Sequence, residues 1–143
     1  MYDPERGYPR IVPYVLYDDP RSAAGWLEKV FGMREVVRLQ MPGGGYGHVE
    51  LEIHGLIVML GLRGGRFGDT SSITMVFADD VDAACLRATE AGGRVVDEAK
   101  DQPWGLRQAV IADPEGQRWE VSQHLRDVQP SSWGAELVGA MPG

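Results

Sequence analysis

The sequence predicts an α+β protein of two tandem βαβββ modules, forming a cupped, mostly antiparallel sheet with helices on the outer face; three observations predict it. Val15-Leu16-Tyr17-Asp18-Asp19 returns as Val76-Phe77-Ala78-Asp79-Asp80, an offset of 61 residues. Each copy is followed by a helical pattern that starts near an alanine pair, Ala23-Ala24 and then Ala83-Ala84. Phe31-Gly32-Met33-Arg34 aligns with Ala91-Gly92-Gly93-Arg94 at an offset of 60, so the register survives to the end of the helix. A fixed period constrains architecture before any single element does.

Each half reads in the same order. Ile11 to Tyr17 and Ile73 to Ala78 are short runs rich in β-branched and aromatic residues, each stopped by an Asp-Asp pair suited to capping a helix. The first helix is expected over about Arg21 to Phe31, with Ala23, Trp26, Leu27, Val30 and Phe31 on one stripe and Gly32 ending it. The second is expected over Val81 to Ala91, closed by Gly92-Gly93. Three strands follow each helix: Glu35 to Gln40, Gly47 to Ile53 and Leu56 to Leu60, then Arg94 to Asp97, Leu106 to Ala112 and Arg118 to Gln123. Asp113-Pro114-Glu115-Gly116 is a tight turn between the last two. Module 1 covers about 10–61, a Gly-rich linker 62–72, module 2 73–125 and a tail 126–143. A lone four-stranded unit leaves one sheet face bare, so pairing two units, or two chains, is the physical solution.

Composition narrows the function. A net charge of −7 repels phosphate backbones, and the fourteen basic residues are scattered, which excludes nucleic acid as the expected partner. No long apolar run signals a membrane span. The one cysteine, Cys85, has no partner for a disulfide within the chain and falls on a helix's apolar stripe, so a cytoplasmic location and a buried, inert thiol are expected.

Several phrases carry a resemblance. Pro13-Tyr14-Val15-Leu16-Tyr17-Asp18-Asp19, the Phe31-Gly32 helix end, Gly47-His48-Val49-Glu50-Leu51, Trp104-Gly105-Leu106-Arg107 and, most specific, Asp113-Pro114-Glu115-Gly116-Gln117-Arg118-Trp119-Glu120 resemble the glyoxalase/bleomycin-resistance (vicinal oxygen chelate) superfamily over about residues 10 to 125. In its metal-dependent members the resemblance implies a divalent ion held by one side chain from the first and last strand of each unit. Transferred through the repeat, those positions are Pro13, Met59, Thr74 and Glu120. Only Glu120 is a serviceable ligand for a hard ion, and the neighbours Tyr14 and Met75 do not repair the set. No metal and no other cofactor is therefore expected.

Strand alternation supplies candidates of another kind. Val49, Leu51 and Ile53 face one way, while His48, Glu50 and Glu52 face the cavity or solvent. The expected ligand-contacting residues are Glu50 and Glu120 as acidic groups, Trp104 and Arg107 beside them, and His48, Met59 and Phe67 around the cup, with Tyr17 and Tyr46 as further lining; Trp119 is expected in the core. No catalytic residue is assigned. The leading expectation is a homodimeric protein that sequesters a cationic or aromatic small molecule such as an antibiotic. The alternative is a metal-dependent lyase, isomerase or dioxygenase using His48, Glu50 and Glu120.

Overall fold

A computed structural model describes residues 12–65, 67–137 and 139. Ile11, where the first strand was expected to begin, and Val138 and Met141 of the tail lie outside them. The order is β1 (Tyr14–Tyr17), α1 (Pro20–Phe31), β2 (Arg34–Gln40), β3 (Tyr46–Ile53), β4 (Leu56–Leu62), then β5 (Thr74–Phe77), α2 (Val81–Glu90), β6 (Arg94–Asp101), β7 (Leu106–Ala112) and β8 (Arg118–His124). A 3-10 turn, Pro130–Trp133, follows. βαβββ thus occurs twice. Each module is one four-stranded sheet, ordered β1-β4-β3-β2 and β5-β8-β7-β6. In both, the first strand runs parallel to the last and the remaining pairs are antiparallel.

The aspartate pairs start the helices as their chemistry dictates. Asp19 accepts from the Ser22 N–H and Asp80 from the Ala83 N–H, satisfying donors that a helix start leaves unpaired. Pro20 occupies the first turn of α1, where its missing N–H costs nothing. Helix α1 buries Ala23, Ala24, Trp26, Leu27 and Val30 on the side of its sheet formed by Val49, Leu51 and Leu60, and α2 buries Val81, Ala84 and Ala88 against Ala109, Ile111 and Val121. Cys85 is half-buried at the edge of this core, and burial pushes its thiol above the usual range.

The modules are joined by the turn that was the most specific phrase of the sequence. Asp113 is 4% exposed and accepts four hydrogen bonds: from Tyr17 Oη (2.5 Å), Trp119 Nε1 (3.1 Å) and the backbone N–H groups of Gln117 (2.9 Å) and Glu115 (3.2 Å). Glu115 accepts from the N–H groups of Asp18 (2.6 Å) and Asp19 (2.9 Å), and Gln117 Nε2 donates to the Leu16 carbonyl. Phe31 packs on the Trp119 ring, and Arg87 of α2 donates to the Val30 carbonyl of α1. Tyr17, weighed as a cup residue, is therefore part of this joint. Burial, with Asp113 adding to it, pushes its phenol far above the usual range, so it remains a donor.

Candidate functional site

Among the described residues, both sheets cover one face with a helix and leave the other free of helices. Pairing register decides which residues look out from the free face, because partners side by side in a sheet point the same way. In the first sheet Tyr14 and Glu50 both sit beside Met59, and His48 sits beside Gly61. In the second, Met75 sits beside Glu120, and Phe77 and Gln108 beside Ser122.

On the first face these side chains form a chain of hydrogen bonds. Tyr14 Oη lies 2.8 Å from His48 Nδ1, and His48 Nε2 lies 2.8 Å from Glu50 Oε2. A carboxylate only accepts, so Nε2 carries the proton toward Glu50, and in the neutral imidazole Nδ1 accepts the Tyr14 hydroxyl. Glu50 is 6% exposed. Space for the array comes from Gly61: a Cβ there would sit 2.7 Å from Tyr14 Cε1, so only glycine lets the phenol lie across β4 to reach His48. Phe67, an exposed linker residue, packs its ring 5.2 Å from that of Tyr14.

The second face is organised by Gln108. Its Oε1 accepts from Trp104 Nε1 (2.9 Å), and its Nε2 donates to Ser122 Oγ (2.9 Å) and Glu120 Oε1 (3.2 Å). The amide therefore orients both the indole and the carboxylate. Trp133 of the tail meets Trp104 edge to face at 5.6 Å. The second face thus presents a held, half-buried carboxylate with aromatic surface beside it, a pairing suited to a cation carried on a flat ring system, while on the first face the carboxylate lies buried beneath its aromatic neighbours.

The residues expected from sequence fall into two groups, with Arg107, Tyr17 and Tyr46 outside both. His48, Glu50, Met59 and Phe67 gather around Tyr14, while Trp104 and Glu120 gather around Gln108. Arg107 stands on the opposite side of β7, with Ala109 and Ile111, and pairs with Asp82 of α2 and Asp101 of β6 at 3.0 Å each. It ties a helix to its sheet. Tyr46 is buried at the start of β3, with the guanidinium groups of Arg21 and Arg38 over its ring. Trp119 is in the core. Tyr14 and Gln108, which organise the two faces, were not singled out for that role; the glycine facing Tyr14 and the polar Gln108 amid an apolar strand were the available signals.

Pro13 and Thr74 do not look out from these faces. Tyr14 and Met75 do, as the partners of Met59 and Glu120. The set that faces outward at the positions implied by the resemblance is therefore one phenol, two thioethers and one carboxylate, which does not fit a hard divalent ion. The set His48, Glu50 and Glu120 fares no better, since both His48 ring nitrogens are engaged. Among the described residues no three His, Cys, Asp or Glu side chains come together in a way that could hold a metal ion.

A family model described as the Glyoxalase/Bleomycin resistance protein/Dioxygenase superfamily matches residues 10–121. The crystal structure of TioX from Micromonospora sp. ML1 is similar at 37% identity and TM-score 0.69, over 82% of this chain and 99% of that one. That of TnmS3, an antibiotic binding protein from Streptomyces sp. CB03234, is similar at 25% identity and TM-score 0.63, over 82% and 99%. The uncharacterized protein Mb0911c of Mycobacterium bovis is 36% identical over 131 residues, 84% of this chain and 86% of that protein.

Proposed function

Because the chain belongs to the glyoxalase/bleomycin resistance protein/dioxygenase superfamily, we propose that it is a small-molecule-binding member that sequesters a cationic aromatic ligand, such as an antibiotic, without a metal. One observation carries this reading: Glu50 and Glu120 each stand on a helix-free sheet face, held by neighbouring polar side chains and flanked by the aromatic rings of Tyr14 and Phe67 or of Trp104. The similarity to an antibiotic binding protein supports the ligand class. A held carboxylate gains by direct pairing with a ligand cation, because the geometry needs no further ordering.

The expected result of titrating the protein with a panel of basic aromatic antibiotics is a saturable change in tryptophan fluorescence, since the Trp104 indole is coupled to Glu120 through Gln108. Glu120→Gln keeps the shape, removes the charge and weakens binding by roughly tenfold or more. Flat curves across the panel would remove the proposal.

The proposal includes a homodimer in the cytoplasm. Among the described residues, strands β1 and β5 are short and paired on one side only, and Ile73, just before β5, and Met75 and Phe77 within it are exposed. A two-fold partner would cover that apolar edge. Light scattering at micromolar concentration is expected to give twice the mass of one chain; the mass of a single chain would contradict it. No described helix is long and apolar enough to cross a membrane.

A further inference from the structure

The repeat places two equivalent joints between the modules, and among the described residues only one of them is filled. At the first, the end of β1 meets the turn between β7 and β8, and the space is taken by Tyr17 and Trp119, at 0% and 1% exposure, around Asp113. The second joins the end of β5 to the turn between β3 and β4. Pairing fixes the correspondence, because Tyr14 beside Met59 and Met75 beside Glu120 are both related by 61 residues. By that offset Ala78 stands for Tyr17, Val58 for Trp119, Leu56 for Gln117 and His54 for Glu115.

Those four replacements all line one cavity of about 550 Å³. Its size falls in the range of small-molecule sites, about 300–1,000 Å³. Ala78 and Val58 open part of this room, where the filled joint holds a phenol and an indole. Pro13 and Met33 extend its apolar wall, and Asp79 and Gln123 stand among its polar lining. The residue equivalent to Asp113 is Glu52, whose carboxylate accepts from the Gly55 N–H instead. Neither Glu50 nor Glu120 lines this space.

We propose that the second joint is a small-molecule site, bordered by Met75 and Phe77 of the second helix-free face but apart from Glu50 and Glu120, for a neutral planar molecule of one or two fused aromatic rings carrying a single hydroxyl or N–H donor. The chain itself shows what fits there: at the equivalent joint, Tyr17 and Trp119 supply such rings, and each directs its one donor to a carboxylate. At the second joint the donor is left to the ligand, with Asp79 as its acceptor.

The test is calorimetric titration of the full-length protein with 2-naphthol. Saturable binding is expected. Ala78→Tyr and Val58→Trp restore the rings of the filled joint and should cut affinity roughly tenfold or more while the chain stays folded by circular dichroism. Ala78→Leu is the smaller filler, and it decides the matter if the larger ones unfold. A Glu50→Gln, Glu120→Gln double variant should bind 2-naphthol unchanged, even where it has lost the cationic ligands of the proposed function. No saturable binding to wild type, or unchanged affinity in a folded filled variant, would overturn the proposal. So would a filled variant that turns a dimer into a monomer, because the cavity would then belong to a second copy of the chain.

Discussion

Asp113→Ala is expected to cost the fold about 3–5 kcal/mol, lowering the midpoint of thermal unfolding by roughly 10 °C or more. Four donors lose their acceptor at once, and two of them, the Tyr17 hydroxyl and the Trp119 N–H, are buried where water does not replace it. The loss also uncouples the modules, because Tyr17 belongs to the first and Trp119 to the second. Unfolding followed by fluorescence and by circular dichroism should cease to coincide in this variant if the joint is what makes the modules one cooperative unit. Tyr17→Phe keeps the ring, removes one donor and should cost about 1–2 kcal/mol. A loss for Asp113→Ala no greater than for Tyr17→Phe would show that the carboxylate is not the centre of the joint.

The pH dependence of that loss has a defined sign. Burial holds the Asp113 carboxyl above the ordinary carboxylate range, against the pull of its four donors. The folded chain therefore keeps this proton to higher pH than the unfolded chain does. The stability linked to that proton is fully present below the unfolded value and is lost as pH rises through the folded one. The gap between wild type and Asp113→Ala should thus narrow as pH rises across that window.

The repeat explains both what the sequence made legible and what it hid. Periodicity and the aspartate caps located ten elements to within a few residues, because each is decided by neighbours close in the chain. Facing is a different matter. The offset relates one module to the other but does not say which parity of a strand meets the helix, and this is why Pro13 and Thr74 stood in for Tyr14 and Met75. Arg107 misled for the same reason: in β7 it shares parity with Ala109 and Ile111, which the helix covers. The Asp-Pro-Glu-Gly turn was conspicuous as a phrase, yet its work is done on Tyr17, 96 residues away. The cavity at the second joint was invisible because it is a difference between the repeats, small residues where the other copy has large ones, and a search for similarity passes over it.

The second large effect is expected at Gly105, and it bears on access to Glu120. Gly105 has φ of +91°, a conformation that disfavours any side chain, and a Cβ there would lie 2.2 Å from the Arg126 carbonyl oxygen and 2.9 Å from Val128 Cγ2. Its own carbonyl accepts from the N–H groups of Leu125 and Arg126, so the same residue both admits and anchors the start of the tail. Gly105→Ala therefore combines backbone strain with a clash that only movement of the tail relieves, together about 2–4 kcal/mol. Moving the tail takes Trp133 off Trp104 and leaves that indole more exposed. The variant should then show red-shifted tryptophan emission, and ligands too bulky to pass the tail should associate with the second face faster. An unchanged emission spectrum in a folded Gly105→Ala protein would mean that the tail yields without releasing Trp133, and the tail would then have no part in controlling entry to that face.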